Sequence, residues 1–257
     1  MREPVVIIGI GEMAGVFARG FLRLGHPVYP ITRNMDISRE AVALPAPELV
    51  LVAVAEKDLQ ATLECIPAEW RGRLALLQNE LLPSDWQTHH LESPSIISVW
   101  FEKKKGQDAK VLIPSPAHGH HAETLVNALQ CIDIPGYIAN SSDEMLYELV
   151  RKNVYILTTN ICGLETGGTV FELWKNHETL ARSVADEVMD LQEWLTGQTL
   201  PRDKLVAGML DAFDGDPNHK CMGRSASARL QRALTLAEQA NLDTPQLRKI
   251  AQKHLKP

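Results

Sequence analysis

VVIIGIGEMAG, residues 5–15, decides how this chain is read. Four β-branched residues run straight into Gly9, and Gly11, Ala14 and Gly15 follow. An apolar run of this length bounded by glycine is predicted as a buried strand over 5–8. Residues 12–24 are predicted as a helix, with Met13, Val16, Phe17, Phe21 and Leu24 near one face and Gly25 as the stop.

Each small residue of the turn has a separate reason. Gly9 permits a tight turn out of the strand, Gly11 lets a backbone come close to a ligand, and Ala14 lets helix and sheet pack closely. The unpaired N–H groups and positive dipole end of the following helix then suit phosphate. Gly9-x-Gly11-x-x-Ala14 between a strand and a helix is the context a dinucleotide-binding turn requires. The alternative is a tight turn that binds nothing.

The end of the next strand, PVYPIT (27–32), selects the dinucleotide. An NAD site usually carries Asp or Glu there for the ribose hydroxyls. This chain carries Thr32, Arg33 and Asn34, with Arg33 24 residues after Gly9. A guanidinium pairs with a 2′-phosphate through charge-assisted hydrogen bonds, so NADP is the expected cofactor. A plain surface arginine is the alternative.

Beyond the turn, LVLVAVA (49–55) reads as a central strand buried on both faces. DLQATLECI follows as a helix and LALLQ (74–78) as another strand. SIISVWF and AKVLIP flank EKKKGQD as a hairpin. This alternation argues a doubly wound α/β sheet, and it fades near residue 140. Ser141 and Glu144 have capping-box spacing. Helices are then predicted over the segment DEMLYELVRKNVYILTTNICGLE and over 169–176, 178–196, 202–213, 226–240 and 245–255. The expected organisation is an N-terminal Rossmann-type domain, 1–140, and an all-helical substrate or dimerisation domain, 141–257.

With 257 residues, 45% hydrophobic and 23% charged, the chain has the composition of a globular protein. A net charge of −6 and a pI near 5.9 argue against a nucleic-acid or anionic-membrane partner. The short apolar N-terminus, ending in glycines, is not expected to be a signal peptide, and no apolar stretch is long enough to span a bilayer. Cys65, Cys131, Cys162 and Cys221 are too widely spaced for a metal or redox motif. They read as free thiols in a reducing cytoplasm. His118, His120 and His121 in AHGHH lack an accompanying thiolate or carboxylate pattern, and the stretch reads as the start of a helix, so no metal is expected. DGDPNHK (214–220) lacks the length and Glu of a calcium loop and reads as an interhelical connection.

Five stretches, in order, carry a resemblance. They are the glycine turn with Arg33, LVLVAVAEKDL, LLQNELL, MLYELVRKNVYILTTNICGL and ANLDTPQLRKI. Together they resemble the ketopantoate reductase (2-dehydropantoate 2-reductase) family, within the 6-phosphogluconate-dehydrogenase-like group. The resemblance implies transfer of hydride from NADPH to the carbonyl of a small 2-keto acid. It implies cofactor contacts at Gly9, Gly11, Met13, Ala14, Arg33 and Asn79. It makes Lys152 the general acid, places Asn79 by the nicotinamide and ribose, and has Asn160 help hold the substrate. A lysine in an otherwise apolar helix is costly to bury unless its charge is used; Arg151 and Lys152 facing solvent is the other reading of VRKN.

The likeness breaks in the substrate half. The lysine that ends the family's third strand is Ala55 here, with Lys57 two residues on. The family's Asn one turn after its catalytic lysine is Ile156, and the Gly after its Asn is Glu80. The family's substrate-binding Glu falls in CMGRSASARLQRAL, where Ser225 or Ser227 stands; Cys221 takes the place of a serine. A non-catalytic NADP-binding protein, or a reductase for imines or branched hydroxyacids, therefore stands beside the keto-acid reductase. A homodimer is a further possibility from the superfamily.

Overall fold

The computed structural model describes residues 2–255. The chain divides into two compact units, 1–149 and 150–257.

The first unit opens with β1 (Val5–Ile8), α1 (Glu12–Arg23), β2 (Val28–Ile31), α2 (Ile37–Ala43) and β3 (Val50–Val52). A single 3-10 turn, Glu56–Asp58, leads into α3 (Leu59–Glu64), α4 (Ala68–Arg71), β4 (Leu74–Leu76), α5 (Pro83–Gln87) and β5 (Ser95–Ile97). The hairpin β6 (Phe101–Glu102) and β7 (Lys110–Val111) comes next, then β8 (Ser115–His118), α6 (Ala122–Gln130) and β9 (Gly136–Ile138). Seven strands form one sheet in the order β2-β1-β3-β4-β5-β8-β9. The first five are parallel, β8 runs antiparallel to β5, and β9 is parallel to β8. This is the doubly wound α/β sheet that the alternation of elements predicts.

Position in the sheet explains the local sequences. β1 and β3 are flanked on both sides and every residue in them is buried, as the β-branched runs require. β2 lies at the edge and carries Pro30, a residue that has no N–H for a ladder and is tolerated there. α1 turns Ala14, Val16, Phe17, Gly20 and Phe21 inward, with Met13 and Leu24 packed half-buried against the same core. The Phe17 and Phe21 rings lie 6.1 Å apart, and full burial of each contributes about 1.5–3 kcal/mol. Gly20 brings α1 onto α6. A Cβ there would sit 2.1 Å from the Ala128 carbonyl oxygen.

Two expectations are corrected. The apolar run SIISVWF is not one strand. Regular pairing with β8 stops after Ile97: the Ser98 N–H still donates to the Pro116 carbonyl of β8 at 2.9 Å, but the Trp100 N–H turns to the Ser115 side chain, donating to Oγ at 2.9 Å. So β5 belongs to the main sheet and β6 to the hairpin. AHGHH does not begin a helix; β8 runs to His118 and α6 starts only after His121.

α7 (Ser142–Thr166) crosses from one unit to the other and is followed by α8 (Val170–Thr196), α9 (Arg202–Gly215), α10 (Ala226–Gln239) and α11 (Pro245–His254). At the start of α7, Ser141 Oγ accepts the Glu144 N–H at 3.1 Å. The returning Glu144 carboxylate reaches one residue further back, to the Asn140 N–H at 2.7 Å. α8 is kinked at His177 (φ −138°, ψ 33°), where the sequence divides into two helical segments. Within the second unit, the Arg151 Nε–H donates to the Gly208 carbonyl of α9 at 2.9 Å. Asn153 donates to Gln192 of α8 at 2.9 Å in a buried pair. Glu187 of α8 accepts the Gln246 and Leu247 N–H groups at 2.7 and 2.9 Å, which satisfies the first turn of α11.

Candidate active site

β1 lies between β2 and β3, so the chain reverses its direction of strand addition there. Ligands of open α/β sheets bind outside the carboxyl ends of the strands at such a switch point, and the glycine turn is at that place. The Gly9 N–H donates to the Ile31 carbonyl at 3.0 Å. Gly9 has φ +95°, and a Cβ on it would stand 2.8 Å from the Ala53 carbonyl oxygen. Both conformation and space therefore demand glycine.

Gly11 differs. It is the N-cap of α1 with φ −74° and ψ −176°, has no capping side chain, and a Cβ on it would meet nothing within 4 Å. The first-turn amides of α1 are left for another acceptor, with open space above Gly11. Ala14 is buried behind the turn and Met13 is half-buried. Arg33 follows the carboxyl end of β2; its side chain is 93% exposed and 4.0 Å from Asp58, a contact that screening makes weak. Uncapped amides, open space above a glycine and an available guanidinium are a donor set that fits a dinucleotide diphosphate with a further phosphate nearby.

Sequence reading missed Glu12, which stands in the first turn of α1. It pairs at 3.3 Å with Lys103 of the β6–β7 hairpin. Both line a cavity of about 560 Å³ with Gly11, Gly15 and Arg19.

Asn79 lies in the turn three residues after β4 and donates its side-chain amide to Glu56 Oε1 at 2.9 Å. The two residues lock the carboxyl ends of β3 and β4 together. Gln78 braces the same corner, donating to the Val52 carbonyl at 2.8 Å. Glu80 has φ +61°, the left-handed backbone that favours glycine, and so keeps the backbone shape of a glycine without being one.

In the second unit Lys152 is 5% exposed; it does not face solvent. Glu148, four residues earlier on the same face of α7, is equally buried, and sequence reading passed over it. Asn160 is buried with both ends of its amide engaged. It donates to the Cys221 carbonyl at 3.1 Å and accepts from Arg229 at 2.8 Å. Arg229 is a buried cation that sequence reading also missed. Ile156 is buried.

Gly163 admits Cys221 to α7: a Cβ on it would lie 2.9 Å from the cysteine Cβ. Burial pushes the Cys221 thiol up to about 11, with Glu172 adding to the shift, and raises Cys162 further. Neither is a thiolate at neutral pH. All four cysteines are unpaired. Among the described residues no group of three or more His, Cys, Asp or Glu could hold a metal ion, and no helix is long and apolar enough to cross a membrane.

A Rossmann-type sheet with its glycine turn at the switch point, followed in the chain by a helical unit, defines a two-part α/β and α architecture. That architecture is the ketopantoate reductase fold. A PanE/ApbA family ketopantoate reductase from Ralstonia eutropha matches it with a TM-score of 0.70 at 14% identity, over 97% of this chain and 96% of that one. A dimeric ketopantoate reductase from Staphylococcus aureus matches with 0.63 at 16% identity, over 97% and 96%. D-mandelate dehydrogenase, in a ternary structure with NADH and anilino(oxo)acetate, matches with 0.67 at 11% identity, over 96% of each chain. No family model and no curated protein matches the sequence. What is shared at these identities is the fold.

Proposed function

We propose that this chain is an NADPH-dependent oxidoreductase that reduces a small 2-keto acid or related carbonyl, in the manner of a ketopantoate reductase. The observation that carries the reading is the turn itself, where Gly9 is forced by the sheet while Gly11 is left open over uncapped amides. The amides that follow Gly11, including that of Met13, hold the pyrophosphate, with Ala14 packed behind them. Arg33 holds the 2′-phosphate and sets the preference for NADP, although the mandelate dehydrogenase structure holds NADH. Asn79 lies beside the nicotinamide ribose.

When bound, the dinucleotide supplies a hydride to the carbonyl carbon. Lys152 donates the proton that the carbonyl oxygen takes up. Its burial supports this role, because a cation removed from water acts most strongly on charge developing in the transition state. Asn160 holds the substrate. The fold of the dimeric reductase supports a homodimer, and the unpaired cysteines support work in a reducing cytoplasm.

The test is turnover with a panel of 2-keto acids and NADPH. Lys152→Ala lowers turnover by roughly 10²–10⁴-fold and leaves NADPH affinity within about twofold of the parent. The reading fails if turnover survives the substitution.

One observation favours a second reading, a non-catalytic NADP-binding protein. The side-chain amides expected to meet cofactor and substrate are already engaged, Asn79 by Glu56 and Asn160 by Cys221 and Arg229. That protein binds NADPH, turns over no carbonyl and is indifferent to Lys152→Ala.

A further inference from the structure

Glu12 presents a difficulty for the proposed cofactor site. A carboxylate in the first turn of a helix suits the helix dipole. In α1, however, it stands where a pyrophosphate would meet the first-turn amides, and like charges at that range repel. Lys103 answers the difficulty from 91 residues away. Its ammonium is 3.3 Å from Glu12 Oε2. It also donates to the Lys104 carbonyl at 2.9 Å and to the Gln107 carbonyl.

These contacts establish which partner is fixed. Two of Lys103's three acceptors belong to its own hairpin turn, and its side chain is mostly covered, at 20% exposure. Glu12 is 45% exposed and is drawn to a cation held by the hairpin. The pair lines the cavity that opens beside Gly11 and Gly15, along with Arg19, Asp108 and Asp133. The three acids outnumber the two bases on that wall, and without Lys103 only Arg19 is left to face them.

We propose that Lys103 is a positioning residue of the cofactor site, holding the Glu12 carboxylate against the β6–β7 hairpin and cancelling its charge so that a dinucleotide diphosphate can occupy the amides after Gly11. This rests on the reading of the glycine turn given above. It makes the lysine-bearing hairpin part of the cofactor site and not merely a solvated turn.

The test is a calorimetric titration of NADPH into the parent chain, Lys103→Met, Lys103→Arg, Glu12→Gln and the double variant Glu12→Gln/Lys103→Met. Lys103→Met is expected to weaken binding at least tenfold, and Lys103→Arg to stay within about threefold of the parent. Glu12→Gln alone is expected to bind at least as tightly as the parent. With Glu12 neutralised, the further change Lys103→Met is expected to matter less than twofold. A merely structural lysine would not show that dependence on residue 12. Parent-like binding by Lys103→Met overturns the proposal, as does a penalty that persists in the Glu12→Gln background. If Lys103→Met does not fold, Glu12→Gln still decides, since weaker binding than the parent overturns the proposal. A parent chain that binds no dinucleotide overturns the reading of the turn itself, and this inference with it.

Discussion

The side-chain amide of Asn79 donates to Glu56 Oε1 at 2.9 Å, tying the carboxyl end of β4 to that of β3 across 23 residues of sequence. Asn79 is thus part of the frame around the candidate site before any ligand arrives. Removing one partner of a half-buried hydrogen bond costs about 0.5–1.5 kcal/mol. Asn79→Ala is expected to lose that much in a urea or guanidinium unfolding curve, and Glu56→Gln, which keeps an acceptor, to lose less. Equal losses for the two would show that the charge of Glu56, and not its acceptor, is what matters.

Gly9 and Gly11 separate fold from binding. Gly9→Ala places a methyl group in a φ +95° backbone against the Ala53 carbonyl. A destabilisation on the order of 2 kcal/mol or more is expected, from strain and overlap together. Gly11→Ala meets open space at φ −74°, so its unfolding midpoint is expected to match the parent while NADPH affinity falls at least tenfold. A Gly11→Ala chain that binds NADPH normally would show that nothing approaches that backbone.

His121 gives stability a pH dependence. Burial lowers its pKa, with His120 adding to the shift and Glu48 opposing it, and its Nε2 has no hydrogen-bond partner among the described residues. A folded-state pKa below the unfolded value near 6.5 means that the unfolded chain binds the proton more readily. The stability is therefore fully present above pH 6.5, and declines as the pH falls from there through the folded-state value. Unfolding curves between pH 8 and 5 should show this decline, and His121→Phe should flatten it. An unchanged slope in that variant would assign the decline to other groups.

Glu187 caps α11 through two backbone N–H groups. Glu187→Ala leaves both without their acceptor, and a loss of about 1–3 kcal/mol is expected. Amide hydrogen exchange at Gln246 and Leu247 should accelerate more than at the centre of α8. Uniform acceleration along both helices would mean that the cap acts only through global stability.

The fold was legible where its cause is local. The glycine turn, the doubly buried strands β1 and β3 and the long C-terminal helices each follow from a run of neighbours whose periodicity or punctuation has one stable outcome. SIISVWF could not be divided by eye, because regular pairing stops after Ile97 and the Trp100 N–H turns to the side chain of Ser115, well outside the run. The same distinction holds for the candidate site. Gly9, Gly11 and Arg33 announce themselves by spacing. The burial of Lys152 could be suspected from its apolar helix, but was settled only by packing. The pairings Glu56–Asn79, Glu12–Lys103 and Asn160–Arg229 join residues 23, 91 and 69 positions apart, and no pattern in one sequence encodes such distances. A carboxylate in the first turn of α1 was visible in GIGEMAG, but its pairing with Lys103 was not.

The account stands most directly on the glycine turn holding NADPH. The decisive measurement is a calorimetric titration of the purified chain with NADPH and, in parallel, NADH, repeated on Arg33→Ala. The account predicts NADPH binding at least tenfold tighter than NADH, a preference that collapses when Arg33 is removed, since each charge-assisted hydrogen bond to the 2′-phosphate contributes about 1.5–3 kcal/mol. No binding of either dinucleotide would contradict it, and would leave Gly9 and Gly11 as the corner of a sheet and nothing more.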